Sequence, residues 1–409
     1  MACSCRGALA SLLPVAFLAA ACSDPGPEPR DAGASPDLAG PAPSGPYVVA
    51  ATRIAPDGFS TFVDVVDALG PDTVVDPSSG VEVPGIALLY AEEGRGEVFV
   101  DSVSNLTLTK YSVEGGALVE RGQLGFMGLG FSTVRRLSAN AFASPTRAYL
   151  VESGTLQLVT WNPETMTIVE TRELSELAPG DEGIDVFVYA PILRDRVAFF
   201  PFAYSDAMAD EVLGVALVLA LDLDDGTTTV LRDEACGDAI YARLTTSGDI
   251  LFGSGTVNAA GELLMRPRVG ASCLRRIPAG ELAFDADFSA AIASFVDGSI
   301  AGGLVAGPGD DVLVRVLDED RVSDSAATTT AVVAAPAWSW WRVDVAAGEA
   351  LRTTIASSTG RFTTFTVGDR TFATVSEADF SRTTLIETST EPPAAALELP
   401  GIATGIALP

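Results

Sequence analysis

Residues 97–124 read EVFVDSVSNLTLTKYSVEGGALVERGQL, and this stretch decides the fold. Val98 and Val100, Leu106 and Leu108, and Ala117 and Val119 alternate with other residues at the period of a β-strand. Glu114-Gly115-Gly116 separates the second run from the third as a hairpin turn, because glycine reaches the positive φ that a tight turn needs. The pattern returns from Arg147 (RAYLVESGTLQLVTWNPETMTIVETREL, turning at Asn162-Pro163-Glu164-Thr165). It returns again in VALVLALDLDDGTTTVLRDE, which turns at Asp224-Asp225-Gly226. A fourth copy joins DILFGSG to CLRRIPAGELAFDADF, and a fifth joins DDVLVRVLDED to WSWWRVDVAAGEALRTTIAS, turning at Ala347-Gly348. A sixth joins RFTTFTVGDRTFATVS to RTTLIETSTEPPAAALEL. Helical periodicity is confined to short stretches such as Ser138–Phe142.

Several short strands recurring at a spacing of roughly 50 residues predict an all-β protein, a seven-bladed β-propeller. The first strand of the body, Tyr47 to Ile54, is placed to complete the last blade, which would close the ring and hide its sheet edges. A ring of six or eight blades and a pair of β-sandwiches are the alternatives. The apolar run Val212 to Leu221 is about half the length of a membrane span, and reads as a buried strand.

The chain has 409 residues, with 25 Lys and Arg against 54 Asp and Glu, a formal net charge of −29. Such a chain repels phosphate backbones, which excludes nucleic-acid binding, and it repels an anionic membrane surface. It contains no histidine, which removes Ser-His-Asp and Cys-His catalysis and imidazole metal ligation. Lys110 is its sole lysine, and no glycine-rich loop precedes it, so a P-loop is excluded.

Residues 1–21 read as an export signal, with Arg6 ahead of an apolar core and the small residues Ala19-Ala20-Ala21 before Cys22. Leu18-Ala-Ala-Ala-Cys22 is a lipobox with its leucine one place early, so Cys22 is the expected lipid acceptor. Plain cleavage after Ala21 is the alternative. Residues 22–46, rich in Pro, Gly, Ala and Asp, read as a disordered tether, and residues 47–409 as the propeller domain. The expected partner is a lipid bilayer reached through this anchor, and the expected location is the cell envelope at the outer membrane. With Cys3, Cys5 and Cys22 assigned to the signal and the anchor, Cys236 and Cys273 remain, and in an exported protein they are expected to pair, with two buried free thiols as the alternative.

Candidate chemistry is sparse. Asp222-Leu-Asp224-Asp225-Gly226 has the look of a calcium-loop start, but its glycine falls too early and no glutamate closes it; it reads as a hairpin turn. Asp181-Glu182, Asp310-Asp311 and Asp318-Glu319-Asp320 read as solvated loop faces, and as a set they offer a weak Ca²⁺ site in the pore. Trp338-Ser-Trp340-Trp341 is the densest aromatic cluster, with Trp338 and Trp340 on one strand face and Trp341 on the other. Blade packing is the plain reading of these residues. The functional reading is a stacking platform at the ring opening, with Arg342 beside it for cation–π or anion contacts.

Four stretches carry a family resemblance: AYLVESGTLQLVTWNPETMTIVE at 148–170, Cys236 with Cys273-Leu-Arg-Arg-Ile, WSWWRVDVAAGE at 338–349, and GRFTTFTVGDRTFATV at 360–375. In these the chain resembles a family of myxobacterial exported proteins found with siderophore (myxochelin-type) biosynthesis genes. The resemblance implies a lipoprotein with a propeller-like body and a link to iron acquisition, and it carries over no catalytic residue. A ferric siderophore of the catecholate kind is an anion, so a chain at −29 would need an arginine cluster to hold it. Arg275-Arg276, Arg135-Arg136 and Arg194/Arg196 are the candidates.

The sequence thus predicts a non-enzymatic binding propeller at the cell envelope, with a ferric siderophore or an envelope protein as partner. The alternative is a propeller enzyme, a metal-dependent hydrolase or quinone-dependent dehydrogenase with a carboxylate-lined central site. A carboxylate-ringed funnel would favour the enzyme, an arginine- and aromatic-lined one an anionic ligand, and a featureless one a protein partner.

Overall fold

The computed structural model describes residues 45–409 apart from 56–57, 72, 74, 132–137 and 378. The expected signal, Cys22 and all but the last two residues of the tether lie outside the described residues, as does Arg135-Arg136. The rest forms seven antiparallel sheets, each of four main strands, arranged as the blades of a ring. Blade 1 is shared between the chain ends: Ile402–Ala407 is its innermost strand, followed outward by Tyr47–Ala55, Gly58–Val66 and Val81–Pro84. Val48 pairs with Ala407 to close the ring, but not as expected: the last blade supplies four strands of its own, and it is the C-terminal strand that completes the first blade. Blades 2 to 7 then follow the chain, each running from its innermost to its outermost strand.

The six repeats seen in the sequence supply the strands of blades 2 to 7. The opening stretch, for example, contains Glu97–Ser102, Thr107–Glu114 and Ala117–Gly125 of blade 2. Apolar residues are packed in layers between blades, so most strands are buried on both faces. In Val197–Asp206 of blade 4, Phe200 and Phe202 face blade 3 while Phe199 faces blade 5. The apolar run expected to be a buried strand is one in its main part, Ala216–Asp222 of blade 4.

One reading of helix is corrected. Ser138–Phe142 is not helical. It lies in Ser138–Ser144, the innermost strand of blade 3, where Ala139 and Ala141 pack toward blade 4. Helices occur instead at α1, Thr256–Leu263, and α2, Thr329–Ala334. Both are inserted between the second and third strands of a blade, blade 5 for α1 and blade 6 for α2. They pack on each other through Ala259, Ala260, Val332 and Val333, with Trp338 beneath. No helix among the described residues is long and apolar enough to cross a membrane.

Antiparallel order puts every connection from second to third strand, and every connection from one blade to the next, at the same end of the ring. This end, the mouth, therefore carries α1, α2 and the blade-to-blade segments ending at Asp238 and Phe362. Cys236, in the connection into blade 5, and Cys273, where the chain returns from α1, form a disulfide there with Cα atoms 5.5 Å apart.

Candidate functional site

The tryptophan cluster takes its plain reading for the most part. The register places Trp338 opposite Leu317, Trp340 opposite Arg315 and Trp341 opposite Val314, so Trp341 faces away from the other two as the alternation requires. Trp338 is fully buried and its indole N–H donates to the Val332 carbonyl at 3.1 Å. Trp341 packs in the layer toward blade 5 and donates to Ser339 Oγ. Arg342 pairs with Asp311 at 3.2 Å and with Glu391, at a groove between blades 6 and 7. Of the three, only Trp340 joins the row of rings at the mouth.

There a row of rings crosses four blades. Tyr241, on the innermost strand of blade 5, stacks on Phe362 with centroids 4.6 Å apart and planes 18° from parallel. Phe362 immediately precedes Thr363 and the innermost strand of blade 7. The two side chains meet across the innermost strand of blade 6 where it reads Gly302-Gly303, a strand edge with no side chains. Gly303 has φ of +75°, and a Cβ there would stand 2.7 Å from the Phe362 ring. Phe362 meets Trp340 edge to face at 5.2 Å, and the Arg315 guanidinium lies 4.5 Å over the Trp340 ring. On the other side Tyr189, in the innermost edge of blade 4, stands 6.4 Å from Tyr241 with its plane inclined 54°.

The polar groups of this row are unusual for a packed interior. Tyr189 and Tyr241 are partly exposed, and neither hydroxyl bonds to any described residue. Arg315 is fully buried; its Nη2 donates to Ser358 Oγ at 2.8 Å and to the Thr359 carbonyl, while Nε and Nη1 have no partner. Burial pushes its guanidinium down to about 9. Asp238 is 2% exposed and its Oδ1 has no partner.

The local chain explains Asp238. It enters blade 5 at φ of 47°, a left-handed position that aspartate tolerates better than most residues. Its carbonyl accepts from the Gly255 and Ile240 amides, both at 2.9 Å. Gly255 leaves room for the carboxyl, since a Cβ there would lie 2.6 Å from Asp238 Oδ2. Burial raises the carboxyl to about 8, with no cation among the described residues to hold it down. Burial, and then the Asp238 charge, raise both Tyr189 and Tyr241.

The expected charge clusters are consumed elsewhere. Arg275 pairs with Asp233, and Arg276 with Asp285 at 3.0 Å. Arg194 donates to the carbonyls of Gly248 and Pro278, and Arg196 pairs with Asp224 at 2.9 Å. The Asp222–Gly226 segment is the expected hairpin turn, closed by the Gly226 amide donating to the Asp222 carbonyl. Asp181 pairs with Arg268 at 3.0 Å, and Asp310 accepts from Thr246. Among the described residues no three Asp, Glu or Cys side chains gather as a metal-ligand set. Sequence reading missed Tyr189, Tyr241, Phe362, Arg315 and Asp238. Gly302-Gly303, an unusual pair inside a strand, was the signal that another group comes close there.

No family model matches the chain, and no curated protein matches it in sequence. Solved structures do match in fold. One is a 6-phosphogluconolactonase candidate from Bacteroides fragilis, with TM-score 0.53 and 8% identity over 90% of this chain and 99% of its own. Another is the periplasmic gluconolactonase of Pseudomonas aeruginosa, with TM-score 0.51 and 12% identity over 88% of this chain and 98% of its own. At these identities the likeness is one of fold: the chain is a seven-bladed β-propeller.

Proposed function

We propose that the chain is an exported, lipid-anchored binding propeller that holds a small ligand at its mouth. One observation carries this reading: the mouth assembles stacked rings, two unbonded tyrosine hydroxyls and an unpartnered buried carboxyl, from blades far apart in the chain. A buried unsatisfied polar atom such as Asp238 Oδ1 costs stability, of the order of 1–3 kcal/mol, and its place near the rings fits a ligand site. Calorimetric titration of the purified protein with a ferric catecholate, its iron-free form and an aldonolactone tests the reading. Saturable heat with any of them supports it. The ferric arm alone decides the iron-acquisition role that the family resemblance implies.

A second reading is an enzyme, favoured by Asp238. A carboxyl that titrates near 8 stays protonated at neutral pH and can give a proton to a leaving oxygen. The two fold neighbours named for lactonases make lactone opening the reaction to try. Hydrolysis faster than the spontaneous rate, lost in Asp238→Asn, would select this reading over simple binding.

A further inference from the structure

Among the described residues no positive charge is placed against Asp238; Arg361, next to Phe362 at the mouth, lies over the Phe380 ring. Asp238 is a buried carboxyl with Oδ1 unpartnered, and among the described residues no arginine or lysine pairs with it. Among the described residues, the groups near it are uncharged at neutral pH: Tyr189 from blade 4, Tyr241 from its own strand and Gly255 at the start of α1. Arg315 lies at the far end of the ring row, beyond Phe362 and Trp340.

Tyr189 and Tyr241 stand 6.4 Å apart at 54°, the relation of two adjoining walls, and both are reached by solvent. The negative face of an aromatic ring attracts a cation, most strongly one with a soft alkylated surface. A hard metal ion would want six or more oxygens, and no such group exists among the described residues. The net charge of −29 draws cations toward the whole molecule.

We infer that Asp238, Tyr189 and Tyr241 form a site for a small organic cation, an alkylated ammonium, with the carboxylate as counter-ion and the rings as walls. The inference rests on the binding reading above and names its ligand class. It points away from the anionic ligand that an arginine- and aromatic-lined funnel would have favoured, because the unpartnered group near the rings is a carboxyl.

Binding requires the ionised carboxylate, so the incoming cation displaces the Asp238 proton to solvent. The test is titration of the purified protein with tetramethylammonium chloride at constant ionic strength, at pH 6, 7 and 8, in two buffers of different ionisation heat. Sodium chloride is the control. Expected are saturation at millimolar concentration, release of about one proton at pH 6, and affinity about tenfold higher at pH 7 than at pH 6. Asp238→Asn should lose both binding and proton release. Tyr241→Leu should lose tenfold or more, and Tyr241→Phe should keep binding. The Tyr241 pair, with the pH profile of the unaltered protein, decides the matter should Asp238→Asn fail to fold.

No saturation, equal saturation by sodium, or binding unchanged in a folded Asp238→Asn variant would each overturn the inference. Tetramethylammonium failing where an aldonolactone or ferric catecholate binds would leave the binding reading standing and remove only the cation.

Discussion

Tyr241 and Phe362 stack ring on ring at 4.6 Å although a whole blade separates their strands in the chain. The contact exists because Gly303 of blade 6 presents no side chain between them. Gly303→Ala sets a Cβ against the Phe362 ring and forces alanine to a φ of +75°. The left-handed backbone and the overpacking together should cost about 2–4 kcal/mol. Urea unfolding should show the loss as a lower midpoint, and near-ultraviolet circular dichroism should lose tyrosine signal in the folded protein.

Asp238 should make the protein less stable as pH rises. Its folded value of about 8 lies above the ordinary 3.8, so between those limits the folded state holds a proton that the unfolded state has released. Stability from this group is fully present below about pH 4 and falls as pH climbs to 8, by as much as about 1.4 kcal/mol per unit. Asp238→Asn should flatten the profile over that window and be more stable than the parent at pH 8. Parallel profiles for the two proteins would place the carboxyl in solvent.

The disulfide joins residues 37 apart in sequence, in the two connections that frame Asp238. Removing it by Cys236→Ser with Cys273→Ser should cost about 3–4 kcal/mol on the chain-entropy estimate. It should also free the connection that carries Asp238, so Asp238 should titrate closer to the ordinary range. Thermal unfolding with and without reductant checks the first statement, and carboxyl NMR the second.

Cys22→Ala should release the protein from the membrane fraction and abolish labelling by a palmitate analogue. Labelling that survives the substitution would mean the lipobox reading is wrong and that cleavage produces a free protein.

The fold was legible because a propeller is written locally. Each blade is consecutive in the chain, so hairpin turns such as Glu114–Gly116 and alternation such as Val98 and Val100 declare it piece by piece. The opposed facing of Trp340 and Trp341 followed from the same alternation. The closure was legible only in part, since Tyr47–Ala55 pairs with its neighbour Gly58–Val66 and nothing local shows that the C-terminal strand completes that blade. The helices were not. α1 is short, begins without a side-chain cap and is held mainly by α2 and blade 6. The site was illegible for the opposite reason from the blades. Tyr189, Tyr241, Gly303 and Phe362 lie on four different blades, and nothing local ties one to another. Trp338 and Arg342, conspicuous in sequence, proved to be committed to packing and to Asp311 and Glu391.

The central claim is that ligand meets this protein at Tyr189 and Tyr241. The chain has seven tyrosines, few enough to resolve by ring-labelled NMR, with Tyr189→Phe and Tyr241→Phe to assign the pair. On addition of tetramethylammonium, the account predicts that the Tyr189 and Tyr241 signals move together with one saturation curve. Tyr47 and Tyr111, packed between blades 7 and 1 and blades 1 and 2, should stay still. A ligand that saturates the protein while leaving Tyr189 and Tyr241 unmoved would contradict it.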